Sequence, residues 1–251
     1  MFPLPRVLPY WAALSGNRKG ASKKVRLLGI ETSTPVVSVA VGDERKILGE
    51  VSLSAEQAHM ERLLPLIDFL LNCLGLELKD LDGFAVAVGP GSFTSLRIGL
   101  ATGKAFAHAS GKPLVGVPTL DVLAAALQGC EGIICPVLRA RRQEVYTAFY
   151  VSTPSGVKRL SSYLALDPEE MVARLEANLE AGITFIGEGA SHYWDLFREK
   201  LGEKAHLADP ALMWPRAGLV VSLGLQLLPL APDDPGKVEA LYVRPPAIRK
   251  N

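Results

Sequence analysis

The alternation of apolar and polar residues predicts that this chain builds one order of elements twice. In its first half, short apolar segments separated by turn residues predict three strands, then a helix, a strand, a helix, a strand and a helix. These strands are predicted at residues 25–30, 36–42, 47–53, 84–88 and 114–117. The second half repeats the order, with strands at 133–138, 144–151, 157–164, 183–186 and near residue 205. The pattern predicts an α/β chain of two lobes, and a cleft between lobes is a preferred place for a ligand.

The predicted division of the chain follows this repeat. We expect a disordered basic extension at residues 1–24, an N-terminal lobe at 25–129 and a C-terminal lobe at 130–251. The helix predicted after Asp167 has a strong start, because an N-cap Asp is followed by a proline and two acidic residues.

The helix predicted at residues 54–74 is apolar on most of its sides. Its main stripe is joined by a second apolar set, Leu66, Phe69 and Cys73, which leaves only a narrow polar strip. A helix that is apolar on most sides is usually buried on most sides, so we expect it to contact more than its own sheet. The alternative is that this helix packs only against its own lobe.

The stretch FAVAVGPGSFTSLRIGLATG, residues 84–103, places a glycine turn between a strand and a helix. Ser92 stands at the N-cap of this helix, whose unpaired amides and positive dipole end suit an anion such as phosphate. Gly89, Gly91 and Ser92 are therefore candidates for a nucleotide pocket. The alternative is a turn that merely joins a strand to a capped helix.

The same helix carries a row of small residues at four-residue spacing. Its members are Ser95, Gly99, Gly103 and Ala107. Each interior glycine costs about 1 kcal/mol of helix stability relative to alanine. The row therefore predicts close packing against another backbone.

Charge and composition exclude several classes of protein. The net charge of +1 conceals six basic and no acidic groups in residues 1–26, against 21 basic and 26 acidic groups in the remainder. A mildly acidic body argues against a broad nucleic-acid surface. No apolar stretch approaches the roughly 18 residues that a membrane span needs. Three cysteines without CxxC spacing favour a reducing compartment, so we expect a cytoplasmic protein without membrane association.

Residues for catalysis are sparse in this sequence. The histidines show no HxxxH or HExxH spacing, so no metal site is expected. The GxSxG nucleophile elbow fails around Ser92, because Pro90 and Thr94 occupy its two glycine positions. We therefore expect no catalytic residue.

Five motifs resemble the TsaB (YeaZ) family, within the superfamily that holds actin, sugar kinases and acetate kinase. TsaB is the dimerisation subunit of the bacterial machinery that makes threonylcarbamoyladenosine in tRNA. The motifs are LLGIETSTPVVSVAV, AHMERLLP, GPGSFTSLRIG, RARRQEVY and ALYVRP, in the order of the family from residue 27 to about 245. Two departures stand out, because Ser95 replaces the usual glycine and Arg139 replaces the usual aspartate.

The resemblance implies a two-lobed actin-like fold, of the ribonuclease H-like (ASKHA) type. It implies a non-catalytic subunit that pairs through two helices with TsaD, and through TsaD with TsaE and tRNA, and it leaves a homodimer open. TsaD carries an HxxxH metal motif where this chain has Thr119 and Leu123. The partner interface implied here comprises His59 and Arg62 near its rim with Leu66, Phe69, Ser95, Gly99, Gly103 and Ala107.

The superfamily also places an acid and hydroxyls against phosphate and magnesium, at positions that here hold Glu31, Thr32 and Ser33. With Gly89, Gly91 and Ser92 they form a candidate nucleotide site that is weak or vestigial, so that no cofactor is required and ATP or ADP binds weakly if at all. An alternative reading is an independent nucleotide-dependent phosphotransferase. A metalloprotease is a third reading, which the missing HxxxH disfavours.

Overall fold

Two β-sheets, one from each half of the chain, organise the fold. The computed structural model describes residues 24–54, 59–141, 143–176 and 182–244. The predicted basic extension therefore lies outside the described residues except for Lys24. No helix among the described residues has the length and hydropathy to cross a bilayer.

The first sheet has five strands in the order β3-β2-β1-β4-β5. The strands are β1 (Leu27–Glu31), β2 (Val36–Gly42), β3 (Ile47–Ser54), β4 (Gly83–Gly89) and β5 (Leu114–Pro118). β1, β2 and β3 pair antiparallel, whereas β1, β4 and β5 run parallel. Every residue of β1 and β4 is buried, as expected for central strands that are covered on both faces.

Three helices accompany this sheet: α1 (His59–Leu74), α2 (Phe93–Ser110) and α3 (Thr119–Ala125). α1 packs over β2 and β3, and α2 packs over β4. Leu28 and Ile30 of β1 point into the core beneath these two helices. The element order of the first half is as the sequence predicts.

The second sheet repeats the arrangement with more, shorter strands. They are β6 (Ile133–Arg139), β7 (Val145–Thr147), β8 (Tyr150–Thr153), β9 (Gly156–Arg159), β10 (Leu164–Leu166), β11 (Ile183–Ile186) and β12 (Ala205–Leu207). The parallel order β6-β11-β12 matches β1-β4-β5 of the first sheet. The strand predicted at 144–151 is split, because its two parts, β7 and β8, pair with opposite ends of β6. The strand predicted at 157–164 is divided in the same way into β9 and β10.

Four helices complete the described second half: α4 (Pro168–Glu176), α5 (Glu188–His192), α6 (Trp194–Leu201) and α7 (Ala217–Leu227). The predicted start after Asp167 is confirmed, since its Oδ1 accepts the N–H of Glu169 at 2.9 Å. The single helix predicted at 191–201 is instead the short α5 followed by α6.

The last helix, α7, returns to the first sheet and covers the face opposite α1 and α2. A Cβ at Gly29 would come within 2.7 Å of Val221 Cγ2, which shows how closely β1 approaches α7. Side chains of the first sheet also cap α7, because Ser38 Oγ accepts the Ala217 N–H at 3.1 Å and Glu50 Oε1 accepts the Gly218 N–H at 2.9 Å. The packing of α7 thus does not follow a division of the sequence at residue 129, and the limits of the lobes stay a prediction.

Candidate functional site

The carboxyl ends of β1, β4 and β5 meet at one edge of the first sheet. β1 ends at Glu31 and β4 ends at Gly89, and the turns that follow these strands touch each other. The contact is a hydrogen bond from the Ser92 N–H to the Ser33 carbonyl at 2.7 Å. The structure therefore brings together both segments of the predicted nucleotide site.

Close packing within the chain requires two glycines of this turn. A Cβ at Gly91 would collide with the Ser33 carbonyl oxygen. Gly89 has a φ of +105°, which L side chains rarely adopt, and a Cβ there would lie 3.0 Å from Leu96 Cδ1. Intramolecular contacts are thus sufficient to explain the glycines, and nucleotide binding stays a prediction.

Glu31 is a fully buried carboxyl at this edge. Its Oε1 accepts the Ser33 N–H at 2.6 Å, whereas its Oε2 has no hydrogen-bond partner among the described residues. Burial raises the pKa of Glu31 from 4.5 to about 7, and hydrogen bonding to Ser33 opposes only part of this rise. The carboxyl therefore divides between its neutral and charged forms near pH 7.

Thr119 and Leu123 stand on α3, where the resemblance places the metal-binding histidines of TsaD. Both are fully buried, and Thr119 Oγ1 has no hydrogen-bond partner among the described residues. Among all the residues that the structure describes, no three His, Cys, Asp or Glu side chains are grouped so that they could hold a metal ion. Neither a threonine nor a leucine side chain supplies the nitrogen ligand of an imidazole.

His59 is buried, which corrects the expectation that it lies near the rim of an interface. Its Nε2 lies 2.7 Å from the Thr34 carbonyl, and its Nδ1 lies 3.5 Å from Ser95 Oγ. The Ser95 carbonyl accepts a hydrogen bond from the Thr32 hydroxyl at 2.8 Å. His59 therefore joins the start of α1 to the turn after β1 and to the first turn of α2.

The row of small residues on α2 is also buried, and it faces the chain's own sheet. A Cβ at Gly99 would collide with Thr32 Oγ1, and a Cβ at Gly103 would lie 3.2 Å from Leu114 Cδ1. Ser95 is 7% exposed and Ala107 is 1% exposed. The row is closely packed, but its neighbours are side chains of Thr32 and of the strands beneath it, not the backbone of another segment. This corrects the expectation that the row contacts a partner.

α1 instead exposes large apolar side chains. Met60 is 72% exposed, Leu64 is 53% exposed and Phe69 is 56% exposed. Arg62 is exposed beside them, and Leu66 is half-buried. Met60 and Leu64 belong to the main apolar stripe of the predicted helix. We call Met60, Leu64 and Phe69 the exposed α1 surface.

The start of α2 adds an aromatic and cationic group that the sequence analysis missed. The Arg97 guanidinium lies 3.7 Å from the centre of the Phe93 ring, and the Phe93 and Tyr242 rings are 5.9 Å apart. Phe93 is 37% exposed and Tyr242 is 42% exposed. Tyr242 belongs to the ALYVRP motif, whose Leu241 N–H donates to the Val88 carbonyl at 2.7 Å. The fifth motif of the sequence thus lies against the glycine turn of the third.

Arg139, the departure from the family aspartate, has an acidic neighbour. Its Nε donates to Glu188 Oε2 at 2.6 Å, and its backbone N–H donates to Glu188 Oε1 at 2.8 Å. Glu188 begins α5, so this ion pair connects the end of β6 to the loop that follows β11. The positive charge is therefore balanced locally.

A partly buried polar group connects α3 to the second sheet. Asp121 Oδ1 accepts the Tyr150 hydroxyl at 2.6 Å and the Tyr163 hydroxyl at 3.0 Å, and it lies 3.6 Å from the Arg159 guanidinium. Burial raises the pKa of Asp121, while the two hydroxyls and Arg159 favour its charged form. No local sequence signal predicts this group, because its members come from segments far apart in the chain.

Comparison with known proteins adds to this geometry. A family described as TsaD, tRNA N6-adenosine threonylcarbamoyltransferase, matches residues 46–228. The tRNA threonylcarbamoyladenosine biosynthesis protein TsaB of Bacillus subtilis is 29% identical over 201 residues, which cover 79% of this chain and 86% of that protein. The solved structure of YeaZ from Pseudomonas aeruginosa superposes with a TM-score of 0.74 at 27% identity, covering 87% of this chain and 99% of that one.

The transferase itself matches over a shorter part. The tRNA N6-adenosine threonylcarbamoyltransferase of Rhizobium meliloti is 39% identical over 134 residues, which cover 45% of this chain and 37% of that protein. The similarity to TsaB and YeaZ, in contrast, extends over nearly the whole length of those proteins.

Proposed function

Because the chain belongs to the TsaD family and, within it, to the TsaB (YeaZ) proteins with their two-lobed actin-like α/β fold, we propose that it is a non-catalytic subunit that binds TsaD. In this role it supports the transfer of a threonylcarbamoyl group to N6 of a tRNA adenosine. TsaE and tRNA join the assembly through TsaD, and the assembly works in the cytoplasm.

The observation that carries the proposal is the exposed α1 surface. Its three large apolar side chains are more than half exposed on one helix. Full burial of such a side chain is worth roughly 1.5–3 kcal/mol, so a partner that covers this surface gains several kcal/mol from it. The helix lies beside α2, which fits a partner that adds two helices of its own.

Two features support a non-catalytic role. The α3 positions of the TsaD histidines hold a threonine and a leucine, both without exposed surface. Ser92 Oγ lies 3.0 Å from Ser95 Oγ, which in turn faces the His59 ring. The Nε2 of His59 contacts the Thr34 carbonyl, not a carboxylate. This arrangement lacks the acid that orients the base in a Ser-His-Asp triad.

The surface that binds TsaD also suits a second copy of this chain. We therefore expect a homodimer and the complex with TsaD to exclude each other. Addition of TsaD to a homodimer should convert it to the mixed complex rather than bind on top of it.

A matched pair of substitutions tests the proposal. Leu64→Asp places a charge on the exposed α1 surface, where the leucine is 53% exposed. Leu230→Asp makes the same change at a 61% exposed leucine that follows α7 on the opposite face of the sheet. Titration calorimetry with purified TsaD should show binding that Leu64→Asp weakens at least tenfold and Leu230→Asp leaves unchanged. Absence of a complex at micromolar concentration, with both proteins folded, would refute the proposal.

A nucleotide-dependent phosphotransferase is the second candidate. It is favoured by the unpaired Oε2 of Glu31 next to the glycine turn. Calorimetry with ATP and magnesium discriminates between the two, because an enzyme of this class should bind at roughly millimolar concentration or tighter and turn over. Weak binding without turnover would instead indicate a vestigial site.

A further inference from the structure

An apolar groove runs between α1, α2 and the segment that follows α1. It has a volume of about 520 Å³ and is open to the surface. Its apolar walls are formed by Leu64, Ile67, Leu71, Leu76, Leu78 and Phe106. A groove of this size accommodates one or two large side chains of an inserted segment.

The rim of the groove is mainly acidic. Asp68 and Glu77 line it, together with Asn72 and Lys79, and Asp80 follows directly. Lys79 Nζ lies 2.9 Å from Glu77 Oε2, and Lys112 Nζ donates to the Leu78 and Lys79 carbonyls at 3.2 and 2.6 Å. Three acidic and two basic side chains therefore stand at the rim, which keeps a net charge of −1. An occupant of this groove should therefore combine apolar side chains with basic ones.

The segment that precedes the described chain has this composition. Residues 1–23 contain four basic groups and no acidic group. The apolar side chains of its middle part are Val7, Leu8, Tyr10, Trp11 and Leu14, and the basic residues Arg18, Lys19 and Lys23 follow them. Apolar residues and positive charges therefore occur in the order needed to fill the groove and then pass over its acidic rim.

The point where the described chain begins lies close to the groove. Arg26 and Asp82 form two hydrogen bonds. The Arg26 N–H donates to Asp82 Oδ2 at 3.0 Å, and the Asp82 N–H donates to the Arg26 carbonyl at 2.8 Å. Asp82 is three residues from Lys79 on the groove wall, so Lys24 lies within roughly 25 Å of it. The 13 residues from Trp11 to Lys24 can span about 43 Å, which is more than sufficient.

We propose that residues 7–14 of this chain dock into the groove between α1 and α2 of the same molecule, with the basic residues that follow lying against its acidic rim. The contact is intramolecular, and the linker of about ten residues gives it an effective concentration of roughly millimolar. The groove is therefore occupied most of the time if the intrinsic dissociation constant is below about 0.1 mM. Because Leu64 lines the groove and also belongs to the exposed α1 surface, docking competes with TsaD; this consequence alone rests on the proposed function.

Photo-cross-linking of the full chain tests the docking without any partner. Trp11 is replaced by p-benzoylphenylalanine, and ¹⁵N-labelled and unlabelled protein are mixed before irradiation. Mass spectrometry should then find cross-links from position 11 to residues 64–79 or to Phe106, within single chains. A rim variant, Asp68→Lys with Glu77→Lys, should lower their yield about threefold. Asp195→Lys, an exposed change on α6, should leave the yield unchanged.

Three outcomes would overturn the proposal. Cross-links between labelled and unlabelled chains would show that the segment of a second copy occupies the groove. Cross-links confined to the second lobe, or no cross-links, would show that the groove is not its binding place. A rim variant that matches wild type in thermal unfolding and in cross-link yield would show that the basic residues do not lie against the acidic rim, as the proposal requires. None of these outcomes decides whether the chain binds TsaD, which is measured separately.

Discussion

The clearest physical prediction concerns the buried carboxyl of Glu31. Replacing it by glutamine keeps the size of the side chain and removes its titration. In the folded protein burial raises the Glu31 pKa from 4.5 to about 7, so the shift corresponds to about 3 kcal/mol. The folded state binds this proton more tightly than the unfolded state does. Stability from this group is therefore greatest below pH 4.5, falls as the pH rises from 4.5 to 7, and stays low above pH 7.

The assay is urea unfolding of wild type and Glu31→Gln at several pH values between 4.5 and 8, at constant ionic strength. From pH 4.5 to pH 8, the free energy of unfolding of wild type should fall by about 3 kcal/mol more than that of the variant. This change with pH is the test, and a constant offset between the two proteins does not affect it. Glu199→Gln, at an exposed position of α6, is the matched control and should run parallel to wild type. Parallel curves for wild type and Glu31→Gln would refute the assignment of this pKa to burial.

Two further predictions address packing and the lobe connection. Gly99→Val places side-chain atoms where Thr32 Oγ1 lies and should lower the free energy of unfolding in urea by about 2–3 kcal/mol. Its control, Ala101→Val on the exposed side of α2, should lower it by less than about 1 kcal/mol. Equal losses would contradict the packing of the small-residue row on the sheet. Asp121→Ala leaves the Tyr150 and Tyr163 hydroxyls without their acceptor and should cost about 2–4 kcal/mol, against little change for the exposed Asp195→Ala. A loss below about 1 kcal/mol for Asp121→Ala would show that these hydroxyls find other partners.

The sequence predicted the repeated order of elements because local pattern decides it. Alternating apolar residues and turn residues sufficed for β1 to β5 and for the strands of the second half, apart from the divisions near residues 148 and 161. The first division depends on which end of β6 pairs with β7 and with β8, and the second on the pairing of β9 with β8 and of β10 with β7. Such pairing between separate segments leaves no local signal. The return of α7 to the first sheet was missed for the same reason.

The candidate interface was predicted only in part. A glycine row at helical spacing indicates close packing but does not say against what, and in this chain the Thr32 side chain occupies the place of a Gly99 side chain. The apolar positions of α1 extend beyond the face that packs on its own lobe, so Met60 and Leu64 of the main stripe are exposed. The proximity of the 31–33 and 89–92 turns was predicted through the resemblance. The half-buried acceptor Asp121 had no sequence signal.

The central claim is that the exposed α1 surface binds TsaD, and one calorimetric comparison tests it most directly. Leu64→Asp and Leu230→Asp make the same substitution at leucines of similar exposure, 53% and 61%, on opposite faces of the first lobe. We predict that TsaD binds the Leu230→Asp protein as tightly as it binds wild type, and the Leu64→Asp protein at least ten times more weakly. Equal affinities for both folded variants would contradict the claim.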